Sequence, residues 1–140
     1  MPSPSLSFHN VDIRFKIKQQ KKIKNWLMNV ASAEKKNIDT LNYIFCSDAY
    51  LLKINREYLQ HETLTDIITF DYSEKKNISG DIFISVERVT ENAEKYNVTF
   101  ENELLRVMVH GVLHLIGFND KTISEKETMR AKENFYLELY

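Results

Sequence analysis

With 140 residues, of which 43% are hydrophobic and 28% charged, the chain is sized and composed for one globular domain that buries its own core, which excludes a disordered or fibrous protein. The formal net charge of -1 gives no global signal for nucleic acid, the single cysteine excludes an intramolecular disulfide, and no apolar run approaches the ~20 residues that span a bilayer. Three glycines and two prolines, both prolines near the N-terminus, leave no linker composition that would divide the chain. A single domain over residues 1–140 is therefore expected. Met1 to Phe8 has neither the positive nor the apolar region of a secretory leader, and with the lone Cys46 this points to a reducing, cytoplasmic setting. Cys46 follows Ile44 and Phe45 and reads as a buried structural thiol.

Val11, Ile13, Phe15 and Ile17 alternate with Asp12, Arg14 and Lys16, a period of two that predicts a half-buried first strand. From Arg14 to Ala33 no acidic residue occurs, while Arg14, Lys16, Lys18, Lys21, Lys22 and Lys24 supply six positive charges. That asymmetry makes a local basic patch available for phosphate. Ile23, Trp26, Leu27, Val30 and Ala31 recur at helical spacing and predict an amphipathic helix ending near Lys36. Leu41 to Cys46 predicts a second strand, and Ser47 or Asp48 caps a helix carrying Leu51, Leu52, Asn55 and Tyr58.

Ile67 to Tyr72 and Ile82 to Ser85 predict two neighbouring strands across a turn from Lys75 to Gly80. A helix is predicted from Val86 to Tyr96. Thr99 caps a longer one, Phe100 to Ile116, with a broad apolar face and Gly117 as its C-cap. Ser124 to Glu127 reads as a capping box opening a final helix through Met129, Phe135, Tyr136 and Leu139. Four strands mixed with four or five helices make the fold class α+β.

The chemistry concentrates in His110 to Asp120. Two histidines at i and i+4 stand one above the other on a helix face, within reach of one metal ion. Gly117 lets the chain reverse so that Asp120 returns as a third ligand, giving a His2Asp site with an open fourth position. The donor set fits zinc and also resembles non-haem iron sites. No Glu follows the first histidine, so the H-E-x-x-H peptidase motif is absent. Gly111, a costly residue inside a helix, indicates either close approach of substrate or of another backbone, or a packing contact.

His110 to Phe118 resembles the H-G-x-L-H-L-x-G-[YF]-D-H signature of the YbeY endoribonucleases. Ile54-Asn55-Arg56-Glu57-Tyr58 and Thr65 to Phe70 resemble that family's L-N-x-x-Y-R and T-D-V-L-S-F blocks, and Gly80 to Ser85 resembles G-D-I-x-I-S. The resemblance implies a zincin-like α+β domain with a small mixed four-stranded sheet and one zinc ion per chain. It implies hydrolysis of single-stranded RNA in rRNA maturation at the small-subunit 3′ end and in ribosome quality control. The small ribosomal subunit, with ribosomal proteins or an assembly GTPase, supplies the expected partners, and no membrane is involved.

Four positions depart from the family pattern, Asn119 among them in place of the usual aspartate. Asp120 replaces the usual third histidine, and Leu59 stands where an arginine is usual; Leu64 also replaces a proline. His110, His114 and Asp120 are the expected metal ligands. Arg56, three residues before Leu59, is the expected phosphate clamp, with Asp66 and Asp81 handling protons or orienting ligands, and the Arg14–Lys24 set binding RNA. Thr65 shares the role of Asp66 or caps a strand, and His61 is a loop histidine that could face substrate. Two other readings stand beside this one: a non-catalytic RNA-binding assembly factor with a structural metal, and a hydrolase of another substrate such as a peptide.

Overall fold

The computed structural model describes residues 4–59 and 65–140; His61 and Leu64 lie outside them. Their order is β1 (Ser5–Asn10), α1 (Gln20–Ala33), β2 (Asn37–Cys46), α2 (Asp48–Leu59), β3 (Ile67–Asp71), β4 (Asn77–Ser85), α3 (Val86–Lys95), α4 (Phe100–Ile116) and α5 (Ile123–Glu138). The strands form one sheet in the order β1-β2-β4-β3, with β3 antiparallel to β4 and the other pairs parallel. This is the expected α+β architecture with a four-stranded mixed sheet.

Strand alternation divides the buried residues between two faces. Leu41, Tyr43, Phe45, Ile78, Ile82 and Ile84 join the main core, which α1, α4 and α5 complete with Trp26, Leu27, Met108, Val112, Leu113 and Met129. On the other face α2 lays Leu51 and Ile54 over Cys46 and Ile68, with Phe70 and Phe83 alongside. Cys46 is fully buried, and burial with nearby Asp12, Asp48 and Glu87 pushes its thiol up to about 12, a structural thiol as expected.

The local signals explain most boundaries. The five apolar positions anticipated for α1 are its five buried residues. Ser47 caps α2 by accepting from the Tyr50 N–H at 3.1 Å, and Thr99 caps α4 by accepting from the Asn102 N–H at 3.0 Å. Gly117 ends α4 at φ 126°, where a side chain would be strained.

Four expectations are corrected. The first strand is Ser5–Asn10, not Val11–Ile17. Pairing with β2 ends as the Val11 N–H donates to Phe45 O, and Asp12 then turns into positive φ at 52° while its carboxylate accepts from the Ser47 N–H at 3.0 Å. Val11, Ile13, Phe15 and Ile17 are still partly or fully buried and alternate with exposed residues, but beyond Val11 the segment is outside the sheet. Gly80 belongs to β4, which begins at Asn77, and not to a turn. The capping box of α5 is Thr122 with Glu125, two residues before the expected one. On α5 the inward positions are Met129, Glu133 and Tyr136, whereas Phe135 and Leu139 are exposed.

Two glycines let α4 lie close on the sheet. A Cβ at Gly111 would meet Ile82 Cδ1 at 2.8 Å and Ile67 Cδ1 at 3.2 Å; one at Gly80 would meet the Phe70 carbonyl oxygen at 2.6 Å and Leu115 Cδ2 at 3.1 Å. Of the two reasons anticipated for Gly111, packing is the one the structure supplies.

Candidate active site

α4 presents His110 and His114 from its last turns, and Gly117 reverses the chain as its N–H bonds back to the Leu113 and His114 carbonyls. The reversal returns Asp120 over the helix end. Asp120 Oδ2 lies 3.3 Å from His110 Nε2, and its Oδ1 lies 3.4 Å from His114 Nε2. The three residues each offer a ligand atom within 4.8 Å of the others. Donors held about 2.1 Å from a tetrahedral ion lie ~3.4 Å from one another, so this spacing fits a cation of zinc's size.

The second nitrogen of His110 strengthens the fit. His110 Nδ1 stands 2.7 Å from Glu133 Oε2, so the buried carboxylate accepts Nδ1–H and leaves the Nε2 lone pair directed toward Asp120. Arg106 Nη1 donates to the other Glu133 oxygen at 3.0 Å, and its Nη2 donates to Asn134 Oδ1 at 2.8 Å. Arg130 Nη1 lies 3.7 Å from the same Glu133 Oε1.

These contacts split the titration of the two histidines. Burial pulls His110 down, but Glu133, Asp120 and Asp66 outweigh it and hold the imidazole above its ordinary value. Burial and the neighbouring His110 hold His114 below it, against the pull of Asp120. Burial also pushes Glu133 up, yet the hydrogen bonds from His110 and Arg106 and their charges leave it lowered.

The ligands open into a cleft of about 880 Å³ that also takes Asn55 and Leu59 from α2 and Asn92 and Tyr96 from the end of α3. Thr65 and Asp66 lie on its wall, ahead of β3. Asp66 is fixed through its carbonyl, which accepts from the Ser85 N–H at 3.0 Å; Asn92 Nδ2 approaches its carboxylate at 3.5 Å. Burial raises the Asp66 carboxyl, opposed chiefly by His110. Glu103 lines the same cleft and is raised by burial and by Asp66.

The other anticipated residues stand elsewhere. Alternation in β4 aims Asp81 away from the Gly80–Ile82 face, where it accepts from Asn42 Nδ2 at 3.1 Å in a separate polar groove. Arg56 is exposed in the last turn of α2 and does not line the cleft, although its helix neighbours Asn55 and Leu59 do. None of Arg14, Lys16, Lys18, Lys21, Lys22 and Lys24 lines it either. Lys22 lies 4.1 Å over the Tyr140 ring and Lys24 5.6 Å over Phe8.

Sequence reasoning missed Glu133, Arg106, Arg130 and Glu103. A signal existed for Glu133: it sits at the core-facing spacing set by Met129 and Tyr136, where an unpaired charge would be costly.

Residues 6–140 match the family described as Endoribonuclease YbeY. The chain belongs to that family. The Endoribonuclease YbeY of Amoebophilus asiaticus is 51% identical over 98% of this chain and 94% of its own length, and that of Cytophaga hutchinsonii is 51% identical over 99% and 98%. The solution structure of a Thermotoga maritima protein superposes with a TM-score of 0.67 at 27% identity, covering 95% of this chain and 87% of that one. The YbeY relationship thus spans every residue that lines the cleft, from Asn55 on α2 to Glu133 on α5.

Proposed function

We propose that this YbeY chain is a metal-dependent endoribonuclease that cleaves single-stranded RNA during maturation of ribosomal RNA. The observation that carries the reading is the convergence of His110, His114 and Asp120 in an open cleft, in a chain about half identical to proteins named Endoribonuclease YbeY. Zinc, one ion per chain, is the metal that the two imidazoles and one carboxylate suit best. A divalent cation there supplies Lewis-acid polarisation of a phosphate oxygen and acidification of water.

The chain's own groups supply the rest. Glu133 fixes the His110 ring and, in the neutral imidazole, holds the proton on Nδ1 so that Nε2 is the ligand atom. Asp66, a half-buried carboxyl of raised basicity on the cleft wall, takes the proton that the attacking water loses as its oxygen bonds to phosphorus. It returns that proton to the ribose oxygen as the P–O bond to the leaving strand breaks. The exposed Arg56 and the Arg14–Lys24 set hold RNA outside the cleft, where their contacts weaken with salt.

The cellular setting that follows is the cytoplasm, with the small ribosomal subunit as substrate carrier in 3′-end maturation and quality control and a ribosomal protein or assembly GTPase as recruiter. No described helix is long and apolar enough to cross a membrane.

The test is cleavage of a single-stranded rRNA fragment and of its duplex by purified protein that has been stripped with a chelator and reloaded with zinc. Cleavage of the single strand that disappears on chelation and returns with zinc is expected. Metal-independent cleavage would contradict the proposal, and RNA binding without any cleavage would favour the assembly-factor reading.

A further inference from the structure

An RNA strand entering this cleft meets a crowded set of carboxylates: Asp66, Asp71, Glu103, Asp120 and Glu133 all line it. Holding a phosphate there requires a cation with free donors. Among the described residues, three cationic side chains line the cleft: Arg106, Lys121 and Arg130.

Arg106 is already committed. Its side chain is 19% exposed, and Nη1 and Nη2 both donate to protein acceptors at 3.0 and 2.8 Å. Arg130 is the reverse case. Its side chain is 59% exposed, and its nearest anion is Glu133 Oε1 at 3.7 Å, beyond a hydrogen bond. That oxygen already accepts from Arg106. Charge attraction thus holds Arg130 at the cleft while its fork of N–H donors stays available, the geometry that suits a bidentate phosphate contact.

We infer that Arg130 binds a backbone phosphate of the RNA strand. The inference rests on the endoribonuclease reading and adds to it the residue that sets the strand's register. Glu133 is the common reference: one oxygen holds His110, and the other lies beside Arg130 three residues earlier on α5. Glu133 meets His110 at Nδ1 while Asp120 meets it at Nε2, so Arg130 is tied to the carboxylate that faces the Nδ1 edge of the ring. The phosphate assigned to it is one beside the cleaved bond. Arg130 is a substrate-positioning residue.

The test compares Arg130→Ala and Arg130→Lys with Lys126→Ala, which removes the same charge from an exposed site on the same helix outside the cleft. Affinity of the metal-free protein for a short labelled single-stranded oligoribonucleotide is measured by anisotropy across a salt series, alongside zinc affinity and the steady-state constants of the zinc-loaded protein. Arg130→Ala is expected to weaken RNA binding about tenfold. Losing one phosphate contact should also lower the slope of log affinity against log salt by about 0.7. KM should rise more than kcat falls, zinc affinity should stay unchanged, and Arg130→Lys should recover part of the binding. An Arg130→Ala protein that behaves like Lys126→Ala would overturn the inference, and so would parallel loss of zinc, which would place Arg130 in support of Glu133. If the wild type binds RNA but does not cleave it, the endoribonuclease reading fails while the anisotropy series still decides Arg130.

Discussion

The His110–Asp120 cleft and the basic segment from Arg14 to Lys24 both stand out in the sequence, and the fold treats them in opposite ways. In the cleft, groups of both signs from α4, α5 and the chain after Gly117 meet within hydrogen-bonding distance, partly or wholly buried, and shift one another's protonation. In the basic segment six like charges stand on a largely exposed stretch, with no place in the cleft. Convergence of unlike groups builds a reaction site. A run of like charge builds only a field, which decays over ~10 Å at ordinary salt.

If that contrast holds, the largest effect should follow from the carboxylate behind the ligands. Glu133→Gln keeps the shape but cannot accept Nδ1–H with the same strength, and zinc affinity by competition with a chelating dye should fall roughly 10- to 100-fold. Unchanged affinity would remove Glu133 from the site. A structural change beneath the cleft comes next. Gly80→Ala sets a Cβ against a carbonyl oxygen that cannot move without disturbing β3, so chemical denaturation should show a loss of about 2 kcal/mol. Gly111→Ala meets isoleucine side chains and no backbone, at Ile82 Cδ1, Ile67 Cδ1 and Ile82 Cγ2, and gains helix propensity, so its loss should be smaller, about 1 kcal/mol.

Acid should act on the cleft in a defined direction. Burial lowers His110, but Glu133, Asp120 and Asp66 leave its metal-free value raised, and zinc needs the unprotonated ring. Below that raised value each pH unit should therefore cost about tenfold in zinc affinity, measured by titration across pH, with the loss beginning above an ordinary imidazole's range. A fall confined to strongly acid pH would contradict the His110–Glu133 arrangement. The smallest effect belongs to the other region. Lys21→Ala with Lys22→Ala should leave zinc binding intact and raise KM for RNA only about twofold, a difference that vanishes at high salt. A large loss of turnover would make the basic segment part of the reaction site.

The same contrast explains what was legible in the sequence. α4 could be read from Thr99 to Gly117 because a cap, an apolar stripe and a C-cap glycine are local signals, and the i, i+4 histidines share its face for the same reason. Asp120 followed from the reversal that Gly117 permits. The first strand was misplaced because alternation reports burial, which Val11 to Ile17 does show, and not hydrogen-bond pairing, which Asp12 ends. Asp81 was placed near the site by its neighbours in sequence, but a strand sends adjacent residues to opposite faces. The inward spacing of Glu133 was legible, but its partner was not, because the contact with His110 spans 23 residues and exists only once α5 packs on α4.

The account's central claim is that His110, His114 and Asp120 form one metal site. Elemental analysis of the purified wild type, His114→Ala and Asp120→Ala tests it most directly. The prediction is about one zinc per wild-type chain and a marked loss in both variants. A wild type that carries no metal, or variants that keep the full complement, would contradict it.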